Sequence, residues 1–548
     1  MTADEEFEKL NKEMFERYLK INPTIATTFG LHDPYDKLLP DGSSKRVFEN
    51  LRLFKGWCNK IKEKIKFDAL TDEHKIDWKL IEHLYELEKF FVMEHRLFET
   101  NPDTFDEIGT VLFIMITRSY APLEKRVECI ILRLEKLPDF LEQFRTRFEK
   151  SRAVRLWTEI AIERCEGVPA LLWFIVNATK RRIPAKLHEK LEQTVKKLSQ
   201  PISQQLEWLK SLLPKTKTEW ALGKEKFDKL LKIRKLGMTA DEIYSLGVKY
   251  LREMKEEQAK IAKKISPGKS VEEVMKEIEK EAPKTFEEAL KATREQMDAS
   301  RKFIIENDLA TVYEEDKLLV NETPNFMAPI IPFAALLMPA KFDKTQEGNY
   351  VVTRPSDIKN LGNHLNYPTI KNTAVHEGFP GHFLQGACSN RSSFVRVLTF
   401  GPEAVEFGIE TIEGWAHYCE QMMMEHGFHG ELKTRFVMLN DGIWRAVRII
   451  VDVKLSRGEM SFDEAVEMLM KEARMSKEGA VAEVRRYTQT PAYPLSYLIG
   501  KHLILKLRDD VKRKMGKKYS EKFFHDTITH NGHLPIALLR EVFEQKIA

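Results

Sequence analysis

"TFEEALKATREQMDASRKFI", running from Thr285 to Ile304, shows the pattern on which most of the chain is built. Thr285 and Glu288, three residues apart, fit a capping box, in which hydroxyl and carboxylate each satisfy a backbone N–H that the first helical turn leaves unpartnered. Behind them Phe286, Leu290 and Met297 approximate one stripe at the helical period, so the spacing predicts a helix with one buried face. The same start signal recurs at Thr2 with Glu5, Thr239 with Glu242, Ser270 with Glu273 and Ser461 with Glu464. A mainly α-helical protein is expected.

One region departs from this pattern. "NFMAPIIPFAALLMPAKF" (325–342) is punctuated by proline and lacks helix caps, and the β-prone run Tyr350 to Thr353 follows it. Together they predict a small sheet or hairpin. Loops are expected at 212–218, 265–270 and 352–357, where Pro, Gly and small polar residues cluster, and none is long enough to link domains. The expectation is one domain over 1–548, with a helical half over 1–315 and a second half over 316–548 holding the small sheet and the metal-site helices. A deep cleft is expected between the halves.

The 548 residues carry 88 Lys and Arg against 84 Asp and Glu, a net of +4 without long single-sign blocks, which argues against a nucleic-acid surface. A hydrophobic share of 43% suffices for a sizeable core. The acidic, amphipathic start lacks the features of a secretory signal, and no run reaches the roughly 18 apolar residues of a membrane span, so a cytoplasmic protein with no membrane partner is expected. Five scattered cysteines, never paired as C-x-x-C, suggest neither a disulfide framework nor a thiolate zinc site.

Chemistry concentrates in two segments. "AVHEGFPGHFLQ" (374–385) sets His376 and Glu377 ahead of His382. Zinc hydrolases use His-Glu-x-x-His, which puts both imidazoles on one helical face. Here the histidines are six apart, about 240° around a regular helix, so a straight helix would not chelate. Pro380 and Gly381 allow the backbone to bulge or kink between them and return His382 to the face of His376. A third ligand is available in "TIEGWAHYCEQMMMEH" (411–426), where Glu413, His417 and Glu420 share one face among residues whose bulk belongs inside a protein. The remaining histidines, among them His364, His426, His429 and His533, are expected to be ordinary packed or surface residues.

With these segments the sequence resembles domain-of-unknown-function family 885, whose members are regarded as metallopeptidases of the zincin type. The likeness runs over nearly the whole chain, including "NPTIATTFGLHD" (22–33), "EGWAHYCE" (413–420) and "EVRRYTQTPAYPLSYLIGKHLILKLR" (483–508). It implies a large helical zincin-like body with the sheet beside the metal, His376, His382 and Glu413 as ligands of one Zn²⁺ per chain, and Glu377 as general base. His417 is the substitute if Glu413 is not the third ligand, and His417 and Glu420 could orient a ligand. An oxyanion donor is placed by the same resemblance at Tyr497, with Tyr487 and Arg486 next. A looser likeness extends to thimet oligopeptidase, angiotensin-converting enzyme and carboxypeptidase Taq, which keep the four-residue spacing that this chain lacks. Ser456 stands where relatives are expected to have a histidine.

The implied activity is zinc-dependent hydrolysis of peptide or small amide substrates. Two other classes share these residues. Two histidines and one carboxylate also make the facial triad of non-haem iron oxygenases. A helical binding scaffold with an inactive site is the non-enzyme reading.

Overall fold

A computed structural model describes residues 2–150, 152–323, 331, 333–355, 357–398 and 408–547, and the protein is mainly helical with one small sheet. Thr2, Thr239, Ser270 and Ser461 all open helices with reciprocal capping boxes. Thr285 also caps its helix, but the Glu288 carboxylate accepts from the N–H of Lys284 instead (2.8 Å), closing the cap one residue earlier. Each such cap contributes about 0.5–2 kcal/mol.

The chain forms two compact units. The first is built on Met1–Trp220 with Ala340–Asp343. Its helices α1 (Ala3–Ile21), α2 (Ser44–Lys64), α3 (Asp72–Phe90) and α4 (Arg155–Thr179) bury Phe7, Trp57 and Ile81, and Trp57 Nε1 donates to Asn11 Oδ1 (2.8 Å). Arg46 forks onto Glu107 with two bonds of 3.0 Å, so this buried guanidinium is paired.

The second unit comprises Ala221–Pro339, Lys344–Thr399 and Glu406–Ala548. Its boundary lies after Trp220, whereas the sequence reading divides the chain at 315. The physical reason is that α5 (Ala240–Ile265) lies along a later helix: Ile261 and Ala262 join a core with Phe436 and Val437, and Gly247 meets Ile449 so closely that a Cβ would overlap it. The next helix, α6 (Phe286–Glu306), is the one foreseen from its stripe, and Phe286, Leu290 and Met297 are buried.

That stripe packs under the sheet. Strands β1 (Lys317–Glu322), β2 (Ala334–Leu337) and β3 (Glu347–Val352) lie in the order β1-β3-β2, with β1 parallel and β2 antiparallel to β3. Tyr350 faces Val320 on one side and Leu336 on the other, and it shares a core with Phe286, Met297 and Ala374. Within the proline-punctuated region 325–342, Ala334–Leu337 is strand, and 325–330 and 332 lie outside the described residues. The sheet does adjoin the His-Glu segment, since a Cβ on Gly348 would strike the ring of Phe383.

The helices α7 (Tyr367–Thr373), α8 (His382–Ser389), α9 (Ile409–Glu425), α10 (Leu432–Arg457), α11 (Lys477–Gln489) and α12 (Ser496–Met515) complete the part of this unit that matters below. Helices α9 and α12 approach until Gly414 and Gly500 touch backbone to backbone, where any side chain would collide. All five cysteines are buried and unpaired, and burial pushes the thiols of Cys58 and Cys388 up to about 12. Among the described residues no helix is long and apolar enough to cross a membrane.

Candidate metal centre

Helix α7 does not continue as a bulged helix through His382. It runs into a single π-helical turn, Ala374–Gly378, after which Phe379 is extended (φ −118°, ψ 125°) and a new helix, α8, begins at His382. The expected bulge or kink at Pro380 and Gly381 is instead a full break between two helices. The return of the chain is fixed by three features. The Gly381 N–H donates to the Val375 carbonyl (3.0 Å), a Cβ on Gly381 would strike the His376 carbonyl, and Trp415 Nε1 donates to the Pro380 carbonyl (2.8 Å). The two imidazoles thereby come to 4.9 Å between ring centroids with their planes at 89°.

Glu413 reaches the same point from α9. Its Oε2 lies 3.4 Å from His382 Nε2, and one ligand atom from each of His376, His382 and Glu413 falls within 4.8 Å of the others. Zinc bonds of about 2.0–2.2 Å separate tetrahedral donors by roughly 3.3 Å, so the His382–Glu413 edge already has that spacing. The remaining edges need only a small closure. Two imidazoles and a carboxylate are also the donor set of a catalytic zinc, which keeps a fourth position open.

The ligand orientation is supported from behind. His376 Nδ1 lies 2.7 Å from Glu420 Oε1, and a carboxylate only accepts, so Nδ1 carries the proton and Nε2 is the atom available to a cation. Arg445 Nη2 in turn approaches Glu420 Oε1 at 3.4 Å. Glu413, His417 and Glu420 do share a buried face, as their spacing predicts. His417, however, does not join the three-donor cluster, and its Nδ1 is buried with no hydrogen-bond partner among the described residues.

The charges fit this arrangement. Burial alone would raise the Glu413 carboxyl, but the hydrogen bond from His382 and the two imidazoles bring it down to about 2. Burial depresses His382, yet Glu413 outweighs it and the ring lies above its ordinary value. Burial, with Lys501 and Arg445 nearby, holds His417 well below its usual range. Glu377, half-buried next to His376, has no hydrogen-bond partner among the described residues and acts through space on His382.

The three candidate oxyanion donors are placed differently. Tyr497 stands beside Glu413, and burial followed by that carboxylate pushes its phenol up to about 12, so it stays protonated. Tyr487 accepts from Arg448 Nε (2.9 Å) and interacts with Glu483, so its hydroxyl is already engaged. Arg486 Nη2 donates to Glu483 (3.0 Å) and its guanidinium lies 5.3 Å from the Tyr493 ring. Tyr493 itself, absent from the sequence-derived set, donates to Glu413 Oε1 (3.3 Å).

Helix α10 supplies what the sequence reading missed. Asp441, Arg445, Arg448 and Asp452 stand at i, i+4, i+7 and i+11, one stripe of charge along the middle of the helix among Ile443, Ala446, Val447 and Ile449 to Val451. That periodicity was the available signal. Asp452 accepts the N–H groups of Ala492 and Leu495 (3.0 Å each), fixing the turn that carries Tyr493.

A family model described as "Bacterial protein of unknown function (DUF885)" matches residues 23–543. No curated protein matches. Two solved structures share the fold. One is described as "a putative lipoprotein of unknown function from Shewanella oneidensis", with TM-score 0.79 and 21% identity over 98% of this chain and 99% of that one. The other is "the putative lipoprotein from Colwellia psychrerythraea", with TM-score 0.83 and 18% identity over 100% of both chains.

Proposed function

Because the chain belongs to the DUF885 family and gathers two imidazoles and a carboxylate from three separate elements, we propose that it is a zinc-dependent hydrolase of peptide amide bonds. The convergence of His376, His382 and Glu413, with the unpartnered Glu377 beside them, is the observation that carries this reading. His376 through Nε2, His382 and Glu413 would hold the cation. Once bound, it supplies Lewis acidity toward a carbonyl and a more acidic water.

The side chains divide the remaining work. Glu377 accepts the proton of the attacking water and later delivers it to the leaving amine. Tyr497 offers its hydroxyl to the developing oxyanion, and each such donor is worth a few kcal/mol in the transition state. Tyr493 orients Glu413 through its 3.3 Å bond. The outer edge of β2, with no further strand on it among the described residues, is suited to pairing with an extended peptide, which favours oligopeptides.

Metal analysis of protein purified without added metal, combined with mass spectrometry of a digested peptide library, tests the proposal. Zinc near one equivalent and cleavage abolished by chelation are expected. Glu377→Gln should retain metal and lose at least 100-fold in kcat. Iron in place of zinc, or cleavage indifferent to both treatments, would overturn it.

A further inference from the structure

We infer that Arg486 binds the terminal carboxylate of a peptide, so that the cleaved bond lies within about three residues of a free C terminus. This rests on the peptidase reading above and adds to it a substrate class. Arg448 and Arg486 both pair with a single carboxylate, Glu483, at 3.1 and 3.0 Å. Two guanidiniums share one counter-charge, leaving a positive charge unmatched. The two arginines are not equivalent. Arg448 is buried, donates from Nε to Tyr487, and is stacked 4.0 Å from the Trp444 ring and 4.4 Å from the Tyr497 ring. Arg486 uses Nη2 alone on Glu483, and its side chain is 37% exposed. The rest of its donor fork is therefore open, and a guanidinium fork matches a carboxylate in two parallel bonds.

Its place relative to the metal centre sets the distance along a substrate. One tyrosine separates Arg486 from Glu413: the Tyr493 ring lies 5.3 Å from the guanidinium while its hydroxyl donates to Glu413. The path through Tyr493 is no longer than about 11 Å and a peptide residue spans about 3.8 Å, so a carbonyl at the metal centre and a carboxylate at Arg486 are at most about three residues apart. Trp444 Nε1, buried and without a partner beside Arg448, is a further donor without an acceptor in this corner. An anion would satisfy what the protein leaves unmatched here, whereas a neutral chain passing through would not.

The test separates binding from turnover. A random tetrapeptide pool, as free acids and as C-terminal amides, is equilibrated by dialysis with the Glu377→Gln protein loaded with zinc, and bound peptides are counted by mass spectrometry. The acids should be enriched at least tenfold over the amides, and Arg486→Gln in the same background should bring the two pools to parity. Equal retention of acids and amides, or a preference that survives Arg486→Gln, overturns the inference. These binding results stand whether or not the wild-type protein hydrolyses the pool. Turnover of both pools with equal kcat/KM would leave the hydrolase in place and remove the anchor, while retention of acids without turnover would do the reverse.

Discussion

At the scale of single residues, Glu420 decides which nitrogen of His376 faces a cation. Its carboxylate holds the Nδ1 proton and is itself held by Arg445, and all three lie away from water. Burial would raise the Glu420 carboxyl, but Arg445 first and His376 second keep it below its ordinary value. A charged acceptor behind an imidazole raises the basicity of the opposite nitrogen. Glu420→Gln should therefore weaken zinc binding about 10- to 100-fold, measured by competition with a chromogenic chelator. Unchanged affinity would mean that the 2.7 Å contact does not govern the ligand. From the sequence alone Glu420 was visible as a face-mate of Glu413, because helical periodicity is local information. Tyr493 was not, because its contact with Glu413 spans 80 residues and depends on a turn set by Asp452.

At the scale of elements, the His-Glu segment works because a π-turn ends one helix and a tight return starts another. The six-residue spacing announced that a regular helix would fail, and the residues between the histidines said where. What the spacing left open was how the chain comes back, which is settled by the Val375 carbonyl and by Trp415 on a different helix. Gly381→Ala tests this element, since the new Cβ would meet the His376 carbonyl. Zinc affinity should fall at least tenfold while far-ultraviolet circular dichroism stays unchanged, because the helices on either side keep their own hydrogen bonds. Full affinity would show that the return tolerates a shift. The capping boxes and the β-prone run around Tyr350 were equally legible, being short-range signals. The charged stripe of α10 was written as plainly, but its partners on α9, on α11 and in the turn before α12 appear only in three dimensions.

At the scale of the whole molecule, the proposed ligands all belong to the second unit. A ligand that binds only the native state stabilises what it contacts, by RT ln(1 + [L]/Kd). Zinc added to metal-free protein should slow hydrogen exchange over 374–389 and 409–425 and leave the amides of α1 to α3 unchanged. A uniform change across both units would argue against a localised site. The sequence reading draws an internal boundary at 315. Packing places it after Trp220, since the apolar face of α5 is completed by a helix nearly 200 residues later, a pairing that periodicity does not reveal.

The five sheltered cysteines have a practical consequence. None offers a reactive thiolate at the surface near neutral pH, because burial raises their thiols and closes them to reagents. A single cysteine introduced at the exposed Tyr367 of α7 would accept a maleimide fluorophore against a silent background. Emission from that probe would then follow the helix that leads into His376 during a zinc titration, without first replacing any native cysteine.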